Sequence, residues 1–340
     1  MPLRVLHLAG SPTSEFFAEL SRLYAADCLA AVADPARYEP VIAHVSPDGS
    51  WRFPVSLDPA GLAAAPALSI GEGIARLVDL APDVAIPQLF CLAGMTHYRA
   101  LLDTLGIRYV GNPPDVMALG AHKARAKAVV AAAGVGVPAG EVLFPGSEPT
   151  LRPPVVVKPV DADNSVGVSL VRSAAEFGAA LAAAWAHSGA ALVEEFVPVG
   201  REVRCGIVVR GGELVVLPLE EYALDAQTKP VRTAADKIGR DDDGTMALRA
   251  KNTPTVWIVD PADPLTATVG EAAQACHVAL GCRDYSLFDF RIDPQGRPWF
   301  LEAGLYNSFA RQSVLPTMAR AAGIALADLF ADALAGVVAR

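Results

Sequence analysis

Residues 288–304 read FDFRIDPQGRPWFLEAG, two runs of period-two alternation on either side of a turn. Alternation over 288–293 and 298–303, with turn chemistry in Pro294-Gln295-Gly296-Arg297, predicts a β-hairpin. An even-length loop centred between Gln295 and Gly296 pairs 293 with 298, 289 with 302 and 287 with 304. One face then collects Phe288, Phe290, Ile292, Trp299, Leu301 and Ala303 as a core face. The other sets Asp289 directly opposite Glu302, with Cβ atoms roughly 5 Å apart, where like charges destabilise a sheet. A cation is expected between them. Hard oxygen ligands on a rigid ladder suit Mg²⁺, which takes one or two carboxylates plus the phosphates of a nucleotide. The competing reading is a solvated polar face with Arg291 as counter-ion.

A chain of 340 residues exceeds one compact core and predicts two or three α/β domains. Its 52% hydrophobic content is largely Ala and Val, with no run long enough to span a bilayer. Met1-Pro2-Leu3-Arg4 leads directly into strand-like VLHLAG, so the expectation is a cytoplasmic protein without a membrane partner. Five scattered cysteines form no CxxC and read as reduced packing residues. A net charge of −9 without a basic stripe argues against nucleic acid as a partner. His97, His122, His187 and His277 have no spaced partners and read as surface or packing residues.

VLHLAG followed by SPTSEFFAELSRLYAADCLAAV predicts strand, glycine turn and helix, the start of a doubly wound unit. Further short strands are expected at 41–45, 83–86 and 108–110. Pro113-Pro114 marks a boundary before one long Ala-rich helix over 115–133. Strands follow near 155–158, 167–171 and 190–194, with a helix over 174–187. A β-rich portion from about 202, a helix over 266–280, the hairpin and two closing helices complete the chain. The long polar stretch 222–253 predicts a functional lid, with a disordered segment as the alternative.

Two more segments carry candidate chemistry. VVVKPVDADNSVGVSLV (155–171) ends a buried-strand pattern on Lys158 and continues into a small-residue loop with Asn164, Ser165 and Gly167. Charge, backbone N–H groups and hydroxyls together hold phosphates, although a surface hairpin with an exposed Lys fits the same pattern. ALVEEFVPVGREV (191–203) places Glu194 and Glu195 at a strand end, then apolar Phe196 and Val197, then Glu202. An adenine slot and a ribose-binding carboxylate would look like this, as would an acidic edge strand.

Lys123 on a helix, VVVKP with NSVGVS, VEEFVPVGREV, GCRDYSLFDFRID and FLEAG, in that order, resemble the ATP-grasp carboxylate–amine ligases, most closely D-alanine:D-alanine ligase-like enzymes. LLDTLGIRYVGN and RQSVLPTMARAAGI extend the resemblance over nearly the whole chain. It implies a three-domain α/β ATP-grasp fold. The domains would be an N-terminal doubly wound α/β domain over 1–114, a small central α+β domain over 115–200 and a C-terminal α+β domain over 201–340. ATP and Mg²⁺, with Mn²⁺ as a substitute, are the implied cofactors. Small amino-acid-like molecules are the implied substrates, and a homodimer is compatible with the family. Lys123 and Lys158 match phosphate-contacting lysines, Glu194, Glu195, Phe196 and Val197 the adenine linker, and Glu202 the ribose acid. Asp289 and Glu302 match metal ligands. Ser165 agrees with a catalytic and nucleotide-contacting serine, whereas Asn164 stands where those ligases have serine. Glu15 resembles the acid that receives a substrate amino group, and Ser313 the residue that binds the acceptor carboxylate.

The resemblance breaks at two facing positions. The family has Arg in the slot of Leu287 and Asn in the slot of Gly304, so a guanidinium and a metal ligand are absent from one cross-strand pair. Arg311 and Asn307 are the nearest substitutes in sequence, Arg311 first. Lys237 is the leading candidate for the catalytic lysine of the polar loop, ahead of Lys251. The implied reaction converts a carboxylate to an acyl phosphate that an amine then attacks. The two departures favour specialised metabolism over ordinary D-Ala-D-Ala synthesis, and leave open a nucleotide-binding protein without ligase activity. The opening strand-Gly-helix also fits a dinucleotide-dependent oxidoreductase, which the lack of GxGxxG disfavours.

Overall fold

The computed structural model describes residues 2–163, 165–225, 227–232 and 255–340. Asn164, Lys237 and Lys251 lie outside the described residues, as does most of the stretch expected to form a lid.

The first unit comprises β1 (Leu3–Gly10), α1 (Glu15–Ala31), β2 (Tyr38–Val45), β3 (Trp51–Arg52), α2 (Pro59–Ala64), α3 (Ile70–Leu80), β4 (Val84–Pro87) and α4 (Leu92–Thr104). Its sheet runs β3-β2-β1-β4, with β1 parallel to both neighbours and β3 antiparallel at the edge. Leu6, Leu8, Ala43 and Ala85 are fully buried, as expected for parallel strands covered on both faces. Gly10 ends β1 at φ +97, where a Cβ would lie 2.0 Å from the Val45 carbonyl oxygen. Only glycine permits that close turn into α1. Residues 108–110, expected as a strand, supply a single bridge from Tyr109 to Ala85.

The expected long helix is two helices, α5 (Pro114–Ala121) and α6 (Lys123–Ala132). His122 has extended backbone at the break, and its ring caps α6 by accepting from the Arg125 N–H at 3.4 Å. The break lets the Lys123 N–H reach the Val160 carbonyl at 2.7 Å. After it come β5 (Gly140–Leu143), β6 (Val155–Pro159), β7 (Ser169–Val171), α7 (Phe177–Trp185) and β8 (Ala191–Glu195). These strands form an antiparallel sheet in the order β5-β8-β6-β7, packed on α7.

The largest sheet is built from β9 (Arg201–Arg210), β10 (Glu213–Val216), β11 (Glu220–Tyr222), β12 (Val256–Ile258), β13 (Tyr285–Ile292) and β14 (Pro298–Gly304). Its order is β12-β11-β9-β13-β14, with β10 turned back onto β9. Helix α8 (Leu265–Ala279), with α5 and α6, covers the face of Phe288, Phe290 and Phe300. Helices α9 (Val314–Ala321) and α10 (Leu326–Val338) cover part of the opposite face, around Tyr285 and Leu287. No single helix is long and apolar enough to cross a membrane among the described residues.

The hairpin departs from the predicted register in one instructive way. Asp289 pairs with Glu302 and Leu287 with Gly304, as expected, yet Phe290 pairs with Phe300 and Ile292 with Pro298. The loop is therefore odd, residues 293–297, with Gly296 at φ +81. Leu301 is the extra residue of a bulge that restores the register before Glu302. The bulge also exchanges faces, so that Phe300 enters the core in place of the expected Trp299 and Leu301. Phe300 is fully buried, with its ring centroid 6.1 Å from those of Phe288 and Phe290. Losing such a ring typically costs about 3–5 kcal/mol, which fixes the bulge.

Candidate active site

All eight residues of β13 are buried, which excludes a solvated polar face. Asp289 and Arg291 are 3% and 5% exposed and look into a cleft between the largest sheet and the β5–β8 sheet. Lys123, Lys158, Ser165, Glu194, Glu202, Asp289 and Glu302 line this cleft together. The cavity is about 80 Å³.

Lys158, the next-to-last residue of β6, binds Glu194 of β8. Lys127, four residues after Lys123 and so on the same face of α6, reaches Glu194 at 3.1 Å and donates to the Phe300 carbonyl at 2.8 Å. Burial drives the Lys127 ammonium down to about 8, against the opposing pull of Glu194. Burial would raise the Glu194 carboxyl, yet Lys127 and Lys158 hold it below the usual range. Lys123 donates to the Ala162 carbonyl and lies 3.7 Å from Glu302. Ser165 has φ +57, a left-handed conformation rare for a residue with a side chain and typical of strained functional loops.

Glu202 of β9 is clamped by two arginines. Arg291 donates to its Oε2 through Nε at 2.9 Å and Nη2 at 2.6 Å, and Arg232 donates to its Oε1. Arg291 thus serves Glu202 and not the pair Asp289 and Glu302. Asp289 is held at Oδ1 by Arg204 Nε, at 2.7 Å, and at Oδ2 by Arg232. Arg204 and Arg232 were not prominent in the sequence. Arg204 was nevertheless accessible to the same alternation, because residues 202 and 204 of one strand share a face. Arg232 belongs to a connection with no periodicity to read.

The adenine-linker residues divide by environment. Glu194 and Glu195 pair in the β8 ladder, Glu195 with an exposed side chain, and the Phe196 N–H is taken by the Pro154 carbonyl at 3.2 Å. The Val197 carbonyl accepts from Arg291 at 3.3 Å. Glu15 is the exposed first residue of α1, outside the cleft lining. Ser313 is the buried N-cap residue of α9, and its hydroxyl has no hydrogen-bond partner among the described residues.

Arg311 is not brought to the cleft. Its guanidinium pairs with Asp27 of α1 at 3.4 Å with the side chain 55% exposed, and its N–H donates to the same carboxylate at 2.6 Å. Asp27 recruits it to the seam between the first unit and α9, so sequence proximity to Ser313 is misleading. Leu287 belongs to an apolar cluster with Leu315 and Met318, and a Cβ on Gly304 would meet its Cδ2 at 3.8 Å. That distance is ordinary contact, so the pair is good packing in its own right.

Residues 143–335 match the family model of the D-ala D-ala ligase C-terminus. A D-alanine–D-alanine ligase of Mycolicibacterium smegmatis is 30% identical over 343 residues, covering 90% of this chain and 88% of its own. One from Geotalea uraniireducens is 34% identical over 245 residues, covering 70% of this chain and 72% of its own. Among solved structures, the VanG D-Ala:D-Ser ligase from Enterococcus faecalis is similar with a TM-score of 0.80 at 21% identity, over 99% of this chain and 100% of that one. The D-alanine–D-alanine ligase from Bacillus anthracis complexed with ATP gives 0.72 at 19% identity, over 99% and 98%. The structural likeness establishes the ATP-grasp fold, and the sequence relatives establish the family. This chain belongs to the D-alanine–D-alanine ligase family of ATP-dependent carboxylate–amine ligases.

Proposed function

We propose that this ligase joins the carboxylate of one small amino acid to the amine of another, with D-alanine among its substrates, in the cleft between the β5–β8 sheet and the largest sheet. The observation that carries the reading is the convergence of Lys123, Lys158, Asp289 and Glu302 on one cavity from four separate elements. Among the described residues no three His, Cys, Asp or Glu side chains form a metal cage. Two opposed carboxylates are instead a donor set suited to Mg²⁺ that arrives with nucleotide phosphates. When bound, Mg²⁺ and ATP would supply the phosphoryl group that turns a carboxylate into an acyl phosphate.

The protein's own residues position and neutralise. Lys123 and Lys158 place two ammonium groups on the cavity wall, and Glu194 with Lys127 fixes Lys158. Glu202 is the acid suited to a ribose diol. Ser313, buried at the N-terminus of α9 with a hydroxyl unpartnered among the described residues, is suited to a substrate carboxylate. Lys237 and Asn164 remain assigned by resemblance alone, to catalysis and substrate binding.

D-alanine as a substrate is supported by relatives of that name whose similarity runs through most of both chains. A second reading, ligation of another amino-acid-like molecule in specialised metabolism, is favoured by Leu287 and Gly304. ADP release measured with D-alanine and with a panel of other amino acids separates them. Release with D-alanine alone supports the first reading, and release only with another amine supports the second. ATP binding without release under any pairing would indicate a protein that has lost ligation.

A further inference from the structure

One row of side chains crosses four adjacent strands of the largest sheet. Glu220 of β11 is the direct partner of Arg204 on β9, Arg204 of Asp289 on β13, and Asp289 of Glu302 on β14. Directly opposed residues share a face, so all four look toward the same side. Arg204 is the one cation in the row, its side chain 14% exposed. Its Nη1 stands 3.8 Å from Glu220, whose side chain is fully buried, and its guanidinium lies 5.4 Å from the centroid of the Tyr222 ring. The Tyr222 hydroxyl donates to Glu220 in turn. Arg204 is therefore fixed from two sides by β11, on a strand in the middle of the sheet.

We propose that Arg204 is a positioning residue for the metal-binding carboxylate Asp289, an inference that rests on the nucleotide-site reading above. The two oxygens of Asp289 have different keepers. Oδ1 is held by Arg204 from a sheet strand, whereas Oδ2 is held by Arg232 from the connection after β11. Arg204 sits on a strand paired on both sides, between Glu220 and Tyr222, whereas Arg232 belongs to a connection, and Glu202 keeps Arg291 when Arg232 leaves. Oδ2 is thus the oxygen that changes partner, and Arg204 fixes the carboxylate while it does so. Charge accounting agrees with this role. Glu220 lies 3.8 Å from Arg204 Nη1, so the Arg204–Glu220 pair adds little net charge beside Asp289 and Glu302. If Arg204 were only a counter-ion to the acids, its removal would strengthen cation binding.

The test uses the full chain and Mn²⁺ as the spectroscopic probe, titrated by electron paramagnetic resonance with ADP present. Wild type is compared with Arg204→Lys, which keeps the charge, and with the double variant Arg204→Met/Glu220→Met, which removes the offset pair without leaving a lone buried charge. The inference expects the Mn²⁺ dissociation constant to rise at least tenfold in the double variant and by less in Arg204→Lys. Metal-free ADP affinity should stay within threefold, and kcat should fall with KM for ATP little changed. Mn²⁺ affinity that is unchanged or tighter overturns it, as does parallel loss of metal-free ADP binding, which marks a purely structural arginine. Failure of the wild type itself to bind Mn²⁺ with ADP would overturn the nucleotide-site reading beneath it.

Discussion

Glu202 and Asp289 are joined through a single guanidinium, because Arg232 donates to Oε1 of the one and Oδ2 of the other. Its charge also lies 4.0 Å from the Tyr222 ring centroid. Burial opposes that charge, but Asp289 and Glu202 hold Arg232 protonated well above the ordinary range. Arg232 lines the cleft and occupies one oxygen of each acid, so a ribose at Glu202 and a cation at Asp289 both have to displace this side chain. Arg232→Ala is expected to bind a non-hydrolysable ATP analogue at least threefold more tightly, measured by calorimetry. Weaker binding would mean that the guanidinium contacts the nucleotide.

Lys158→Ala is expected to lower ATP-dependent turnover at least a hundredfold, about 2.7 kcal/mol of transition-state stabilisation. The fold should persist, since Lys127 continues to neutralise Glu194 at 3.1 Å. Loss of one charged hydrogen bond predicts a stability loss of about 1.5–3 kcal/mol. Steady-state kinetics and a urea melt on one preparation check both parts.

Glu302→Gln keeps the shape of β14 and removes one of the two opposed charges. The Mg²⁺ concentration for half-maximal activity should rise at least tenfold. An unchanged metal requirement would assign the hairpin face no part in cation binding.

His7 and His44 lie on the adjacent strands β1 and β2, 2% and 7% exposed. Burial lowers each from 6.5 to about 4, with Arg52 and Arg22 adding to the effect at His44. Both are therefore neutral in the fold at pH 5, while the unfolded chain already takes up their protons below pH 6.5. The unfolded state binds more protons across that window, so stability should fall as pH drops from 6.5 to 4. Each group contributes on the order of 3 kcal/mol to the loss. Urea melts of wild type and His7→Gln at pH 7 and pH 5 should show the smaller decline in the variant.

The hairpin was legible because alternation fixes a face, and Asp289 stands opposite Glu302 as the pattern requires. The compensation between the odd loop and the Leu301 bulge was not, since two cancelling one-residue shifts leave the ends of the pattern unchanged. The break at His122 was hidden by helix-forming alanines on both sides, and only the contact of Lys123 with Val160 accounts for it. Arg311 illustrates the opposite error. Closeness in sequence to Ser313 suggested closeness to the reaction, whereas Asp27, far away in the chain, decides where it goes. Arg204 lay within reach of the alternation of REVRCGIV, and its role became visible only once β9 was seen beside β13.

In the proposed reaction a carboxylate is activated by phosphoryl transfer in this cleft. D-alanine labelled with ¹⁸O in its carboxylate is supplied with ATP and Mg²⁺, and both products are followed by mass spectrometry. Passage through an acyl phosphate leaves one carboxylate oxygen on phosphorus. The expected products are a condensed D-alanyl compound, ADP and inorganic phosphate carrying one ¹⁸O per bond formed. Unlabelled phosphate, or AMP and pyrophosphate in place of ADP, would contradict that reaction.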